Sequence, residues 1–316
     1  MIKKVLIDCD PGMDDSMAIV MACKSDNLEV VGITAVNGNY PLDVTEKNAR
    51  KTLEMIGRKD IPVSKGMKKP IIREIPKDPF SHGADGQAEA FLPEPTMPIS
   101  DIHAVDLIIE TVRKYPGEVY IAALAPLSNI AMAMIKDPEI IGMIPGIVAI
   151  SGAFGLNEYS YLNATGDSPQ SEWNVFVDPE AAKTVYESGV NLIAIGLDIA
   201  THFGVDFDEN DLDKLSRSEN KEAWFLNNAI KFVRNRGFDA YCTVIDCMAI
   251  GYLIDPTLIK TRVAKVGVET KDGLTLGMTV RDDRHHHVWE HLPEINIGID
   301  ADYERFLKLI IDLVLK

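Results

Sequence analysis

The stretch KKVLIDCDPGMDDSMAIVMACK, residues 3–24, decides how this chain is read. An apolar run ends in Asp8 and Asp10, the chain turns at Pro11 and Gly12, and a second apolar segment follows with Asp14 and Asp15 in front of it. A short apolar run closed by Pro-Gly reads as a buried strand, and the longer segment after it as a helix. Two acids in that helix's first turn suit its dipole. Asp8 and Asp10 are two apart, so they share one face of the strand, and Cys9 takes the other. Four carboxylates thus crowd between residues 8 and 15 with no Lys or Arg among them. Like charges this close raise one another's pKa unless something positive neutralises them. Capping and solvation account for one or two of the four; an oxygen-ligand site for a hard cation accounts for all. In that reading Asp10 and Asp15 supply ligands and another acid activates a water.

The strand-then-helix alternation continues outward. LEVVGITAV precedes LDVTEKNARKTLEMIG, GEVYIAAL precedes APLSNIAMAMIK, and IPGIVAISG and VNLIAIGLD are further buried runs. Such a rhythm predicts an α/β fold: an open, mostly parallel, Rossmann-like sheet with helices on both faces. Ligands of such sheets bind at the carboxyl ends of the strands, where Asp8, Asp10, Asn37, Asn39 and Asp198 fall. Two segments break the rhythm, 70–100 and 153–174, and loops this long in a compact domain serve as lids or binding loops. The charged stretch 206–221 reads as a surface excursion. One domain spanning 1–316 is expected, with no internal repeat.

Composition narrows the function. The 316 residues are 46% hydrophobic and 25% charged, with a formal net charge of −16. So acidic a protein repels nucleic-acid backbones and anionic membranes, and it suits an enzyme acting on a neutral small molecule. No apolar run approaches the ~18 residues that span a bilayer, and the N-terminus reads as a first strand, not a signal peptide. The four cysteines, Cys9, Cys23, Cys242 and Cys247, lack CxxC spacing and fit reduced thiols in a cytoplasmic protein.

DCDPGMDD resembles the D-x-D-P-G-x-D-D signature of the inosine–uridine nucleoside hydrolase family. In the same order along the chain, NGN (37–39), HGADG (82–86), APLSNIA (125–131), SGA (151–153), EWN (172–174), LDIATH (197–202) and IDCMAIGYLIDP (245–256) resemble that family's further motifs. The Cys in DCD resembles a branch of it. The resemblance implies calcium-dependent cleavage of the N-glycosidic bond of ribonucleosides, giving ribose and a free purine or pyrimidine base. It implies Ca²⁺ ligands at Asp10, Asp15, Asp246 and the main-chain oxygen of Leu124, with Asp10 also general base. It places Asp14, Asn39, Glu172 and Asn174 on ribose hydroxyls, with Ile150 beside the substrate, and it implies a homodimer or homotetramer. The chemistry agrees: glycoside cleavage passes through an oxocarbenium-like state and needs water delivered to the anomeric carbon, and buried acids and amides discriminate strongly for hydroxyls.

Three positions depart from the family pattern. Family members carry a His before the late metal-binding Asp; here that position is Ile245. Leaving-group candidates are then His82, Tyr241, Arg234 and Arg236, against packing for Tyr241 and surface charge for the arginines. Cys9 stands where Thr is common, and reads first as a small buried hydrophobe; Cys247 is a possible neighbour. Gly166 falls where an Asn often reaches the 5′-hydroxyl, with Asn163 or Asp167 as substitutes, and Trp173 replaces a Phe and packs. RDDRHHHVWEH (281–291) reads as a hairpin surface or subunit contact, only His285 and His287 being able to chelate together. His103 and His202 read as structural. Two other functions compete: a ribose- or nucleoside-binding protein with little or no catalysis, and a dehalogenase-like phosphohydrolase, which DPGMDD fits poorly.

Overall fold

A computed structural model of the chain describes residues 2–76, 81–164 and 168–316. The opening stretch folds as its pattern dictates: strand β1 (Lys3–Cys9), a turn, and helix α1 (Met13–Lys24). There follow β2 (Leu28–Ala35), α2 (Leu42–Met55), β3 (Val63–Lys65), α3 (Ala104–Lys114), β4 (Val119–Ala123), α4 (Ser128–Lys136) and β5 (Ile147–Ile150). Next come α5 (Tyr159–Leu162), α6 (Trp173–Val177), α7 (Pro179–Tyr186), β6 (Leu192–Ile195), α8 (Leu197–Ala200), α9 (Glu209–Arg217), α10 (Lys221–Asn235) and α11 (Cys247–Ile254). The chain closes with β7 (Ile259–Ala264), β8 (Val266–Val268), β9 (Thr279–Arg281), β10 (Ile295–Ala301) and α12 (Tyr303–Leu315).

Eight strands form one sheet in the order β3-β2-β1-β4-β5-β6-β10-β7, and β8 and β9 form a separate hairpin. Neighbours in the large sheet are parallel except β10 and β7. The alternation of β1 divides its side chains between two cores: Val5, Ile7 and Cys9 pack with α1, α10, α11 and α12, and Leu6 packs with α3, α4 and α7. Helices therefore cover both faces, which is why the central strands are apolar on both sides. From β1 the chain winds first towards β2 and β3, and later resumes on the other side at β4. The switch point, where a parallel sheet opens a crevice, lies between the carboxyl ends of β1 and β4. There the Leu124 amide donates to Asp8 O at 2.8 Å.

Two expectations change. The segment 206–221 is not a bare excursion: α9 occupies it, and Val205, Phe207 and Leu215 are buried in the core. Its spaced apolar residues make it amphipathic, a signal masked by the charges between them. The histidine run does not cap a hairpin. It lies on the connection from β9 to β10, with His285, His286 and His287 exposed, while the β8–β9 turn is formed by 269–278. His103 caps α3, accepting from the Val105 amide, and His202 stacks on Tyr303 at 4.4 Å, so both are structural as read. Among the described residues no helix is long and apolar enough to cross a membrane.

Candidate active site

The turn after β1 is built by its own carboxylates. Asp15 accepts from the Asp10 amide (Oδ1, 3.1 Å) and from the Gly12 amide (Oδ2, 3.0 Å), closing the first turn of α1. Asp10 Oδ2 accepts from the Asn39 amide at 2.6 Å, which joins the ends of β1 and β2. A Cβ on Gly38 would stand 2.0 Å from that oxygen, so only glycine lets the Asn37–Asn39 turn close over Asp10. Asp8 lies beneath, its Oδ1 accepting from Thr34 Oγ1 (2.6 Å) and Asn129 Nδ2 (2.8 Å). Asp246, at the start of α11, comes up against the same turn.

One oxygen each of Asp14, Asp15 and Asp246 lies within 4.8 Å of the other two, and all three residues are buried. Ligand oxygens on opposite sides of a calcium ion at 2.3–2.6 Å stand about 5 Å apart, so this spacing fits one divalent cation. Asp10 lies outside that closest trio, but its Oδ1 is buried without a hydrogen-bond partner among the described residues. Such an orphaned oxygen calls for a cation or proton. Burial first, and the neighbouring carboxylates second, push Asp10 and Asp246 well above the usual carboxylate range. The same causes bring Asp15 up to about 7. These are the marks of a charge cluster that calls for a counter-ion.

Above the cluster opens a cavity of about 430 Å³. Asp14, Asn39, Leu124, Ile150, Glu172, Asn174 and Asp246 all line it, as do His82, Tyr241 and Ile245. Residues expected from seven separate stretches of sequence therefore meet at one place. Asn174 donates through Nδ2 to the carbonyls of Leu124 and Ile150, at 3.0 Å each, tying the ends of β4 and β5 together and leaving its Oδ1 as an acceptor. Glu172 caps α6, accepting from Asn174 N (2.7 Å), Val175 N (3.1 Å) and Gly152 N (3.2 Å); burial outweighs these bonds and raises it to about 7.

His82 lies flat over Gly12. Its Nδ1 accepts from the Met13 amide at 3.3 Å and stands 3.6 Å from Asp14 Oδ1. The segment around it is pinned from both sides: Tyr40 Oη donates to Gly83 O, Asn48 Nδ2 to both Pro11 O and Asp85 O, and Asn228 Nδ2 to Ala88 O. Arg236 donates to Ser81 O at 3.3 Å and stacks over Phe232. Arg234 turns away and pairs with Asp206 on the surface; Arg236 is exposed as well, at the mouth of the cavity that it lines.

Several placements differ from the pattern in sequence. Asp198 does not reach the cavity: it is buried and accepts from Phe154 N, Leu156 N and Ser160 Oγ, anchoring the 153–162 loop. Cys9 and Cys247 are fully buried free thiols, and Cys9 Sγ reaches Thr34 O at 3.9 Å. Asn163 lines the cavity with its Nδ2 on Thr201 O; Gly166 and Asp167 lie outside the described residues. Trp173 packs beside Phe176 as expected. Asn48, inside α2, and Asn129, in the first turn of α4, also act as clamps, on Pro11 and Asp85 and on Asp8 and Met67, and nothing local in the sequence marks either for that role.

The family model described as inosine-uridine preferring nucleoside hydrolase matches residues 5–308. The chain belongs to this nucleoside hydrolase family. It is 34% identical over 312 residues to the pyrimidine-specific ribonucleoside hydrolase RihA of Citrobacter koseri, covering 97% of this chain and 96% of that one. A plant nucleoside hydrolase structure superposes with a TM-score of 0.87 at 30% identity, covering 99% of both chains. The purine-preferring ribonucleoside hydrolase of Gardnerella vaginalis superposes at 0.85 with 26% identity, covering 99% and 98%. At position 245 an aliphatic side chain, partly exposed, lines the cavity beside Asp246.

Proposed function

We propose that this family member, working as one domain over 1–316, is a calcium-dependent ribonucleoside hydrolase that splits the N-glycosidic bond with water. The observation that carries the proposal is the meeting of a cation-spaced carboxylate cluster and a set of hydroxyl-reading groups at one cavity. Asp10, Asp15, Asp246 and the Leu124 carbonyl would hold the calcium ion. Bound there, the ion would supply positive charge to ribose hydroxyls and to a water whose pKa it lowers.

The chain's own groups do the rest. Asp14, Asn39, Glu172 and Asn174 hold the ribose by its hydroxyls, with Ile150 packed beside it. Asn174 Oδ1 can only accept, because Nδ2 is committed to two carbonyls. Asp10, raised by burial, takes the proton of the attacking water. The base lies along the wall made by Val233, Phe238, Tyr241 and Ile245, where His82 and Tyr241 offer hydrogen bonds to it. The apolar walls exclude water other than the reactant.

A nucleoside-binding protein would keep the hydroxyl-reading groups without needing an orphaned carboxylate at Asp10. Asp10→Asn separates the two: the proposal expects kcat to fall at least ~10²-fold while ribose binding persists, and an unchanged rate of ribose release would overturn it. We further propose a cytoplasmic homodimer or homotetramer, tested by sedimentation.

A further inference from the structure

This inference rests on the proposed reading of the cavity and concerns which N-ribosides it takes. In hydrolysis of an ordinary nucleoside, water's oxygen bonds to C1′, the C1′–N electron pair goes to the base, and the base leaves as an anion unless it gains a proton. When the ring nitrogen is already cationic, as in an N-ribosylpyridinium or an N7-alkylpurine riboside, the same electron pair neutralises it. The aglycone then leaves uncharged, and the water's second proton passes to the Asp10 carboxylate and on to solvent. Nothing need be given to the leaving group.

The wall beside Asp246 fits the second case. Ile245, next to Asp246 in the chain, has no proton to give, and Val233 and Phe238 line the same cavity. Arg236 does not deprotonate in proteins. Tyr241 lines the cavity but is mostly buried, and that burial pushes its hydroxyl above the ordinary tyrosine range, so it donates a hydrogen bond more readily than a proton. His82 is held over the signature turn, with its Nδ1 on the Met13 amide, where it offers the aglycone a hydrogen bond.

We infer that the leaving-group wall containing Ile245 selects N-ribosides with a cationic aglycone, the N-ribosylpyridinium and N7-alkylpurine ribosides, in preference to neutral nucleosides.

The test uses the full-length protein with calcium and measures kcat/KM, corrected for uncatalysed hydrolysis, on nicotinamide riboside, 7-methylguanosine, uridine, cytidine, inosine and guanosine. General acid catalysis contributes roughly 10²–10⁴-fold where it exists. The expected result is a preference of at least ~10²-fold for the two cationic substrates. Ile245→His, which supplies a donor at the wall, should narrow that ratio at least ~10-fold, and Ile245→Gln, unable to protonate, should narrow it less. Neutral nucleosides cleaved as fast as cationic ones would overturn the inference while leaving the hydrolase reading intact. A cationic preference that Ile245→His does not narrow would overturn the assignment to this wall. Ribose release from none of the six would overturn both readings.

Discussion

Replacing Gly12 by alanine tests whether His82 is seated by the signature turn or merely near it. Gly12 has φ −86° and ψ −160°, an extended conformation that alanine adopts without strain, and its amide bond to Asp15 survives the change. The new Cβ, however, would stand 2.5 Å from His82 Nδ1 and 2.7 Å from Cε1. Ordinary contact needs about 3.5 Å, so the imidazole must retreat by roughly 1 Å. That breaks its bond from Met13 N, at a cost of about 0.5–1.5 kcal/mol, which in a chain of this size lowers Tm by only about 1–2 °C. Catalysis should suffer more, since a 1 Å misplacement costs about 10²-fold. The assay is a double-mutant cycle on kcat/KM for ribose release: Gly12→Ala, His82→Ala and both together. If the damage travels through His82, Gly12→Ala costs less than about twofold once His82 is absent. A full repeat of the penalty in the His82→Ala background would refute the reasoning.

Three further outcomes are expected. Asp246→Asn should abolish the rise in Tm that calcium gives the wild type, measured by calorimetry with and without chelator, because it removes a charged oxygen from the trio within 4.8 Å. Asn174→Asp places a carboxylate oxygen against two carbonyls now 3.0 Å from a donor and should cost about 2–4 kcal/mol in urea unfolding at pH 8. Glu172 is raised from 4.5 to about 7 in the folded protein, so folded chains bind its proton more tightly than unfolded ones. Its contribution is therefore full below about pH 4.5 and lost as the pH rises through about 7, a fall of roughly 3 kcal/mol; Glu172→Gln should flatten that slope in calcium-free urea titrations between pH 5 and 8.

The layout of the sheet was legible because parallel strands buried on both faces write themselves as unbroken apolar runs, and β1, β2, β4, β5 and β6 all lie within the runs read from sequence. The acids of the opening turn were legible because four uncompensated carboxylates are chemically improbable without a partner. Contacts formed only by folding were hidden. Gly38 looks like a turn glycine, yet it is required by Asp10 Oδ2 from a different strand end. Asp198 looked like a site residue because it follows a strand; three donors from a distant loop claim it instead. The edge strand β7 buries only its two end residues, Ile259 and Ala264, and carries too few apolar positions to stand out. Arg234 and Arg236, two residues apart near the end of α10, could not be told apart until the helix end sent one to Asp206 and the other to the cavity mouth.

The measurement that bears most directly on the central claim is ribose release from inosine, uridine, cytidine, adenosine, guanosine and nicotinamide riboside, each assayed with calcium and with excess chelator. The account predicts release from at least one of them, lost on chelation and restored by added calcium. Release that is indifferent to chelator, or absent from every substrate with calcium bound, would contradict it.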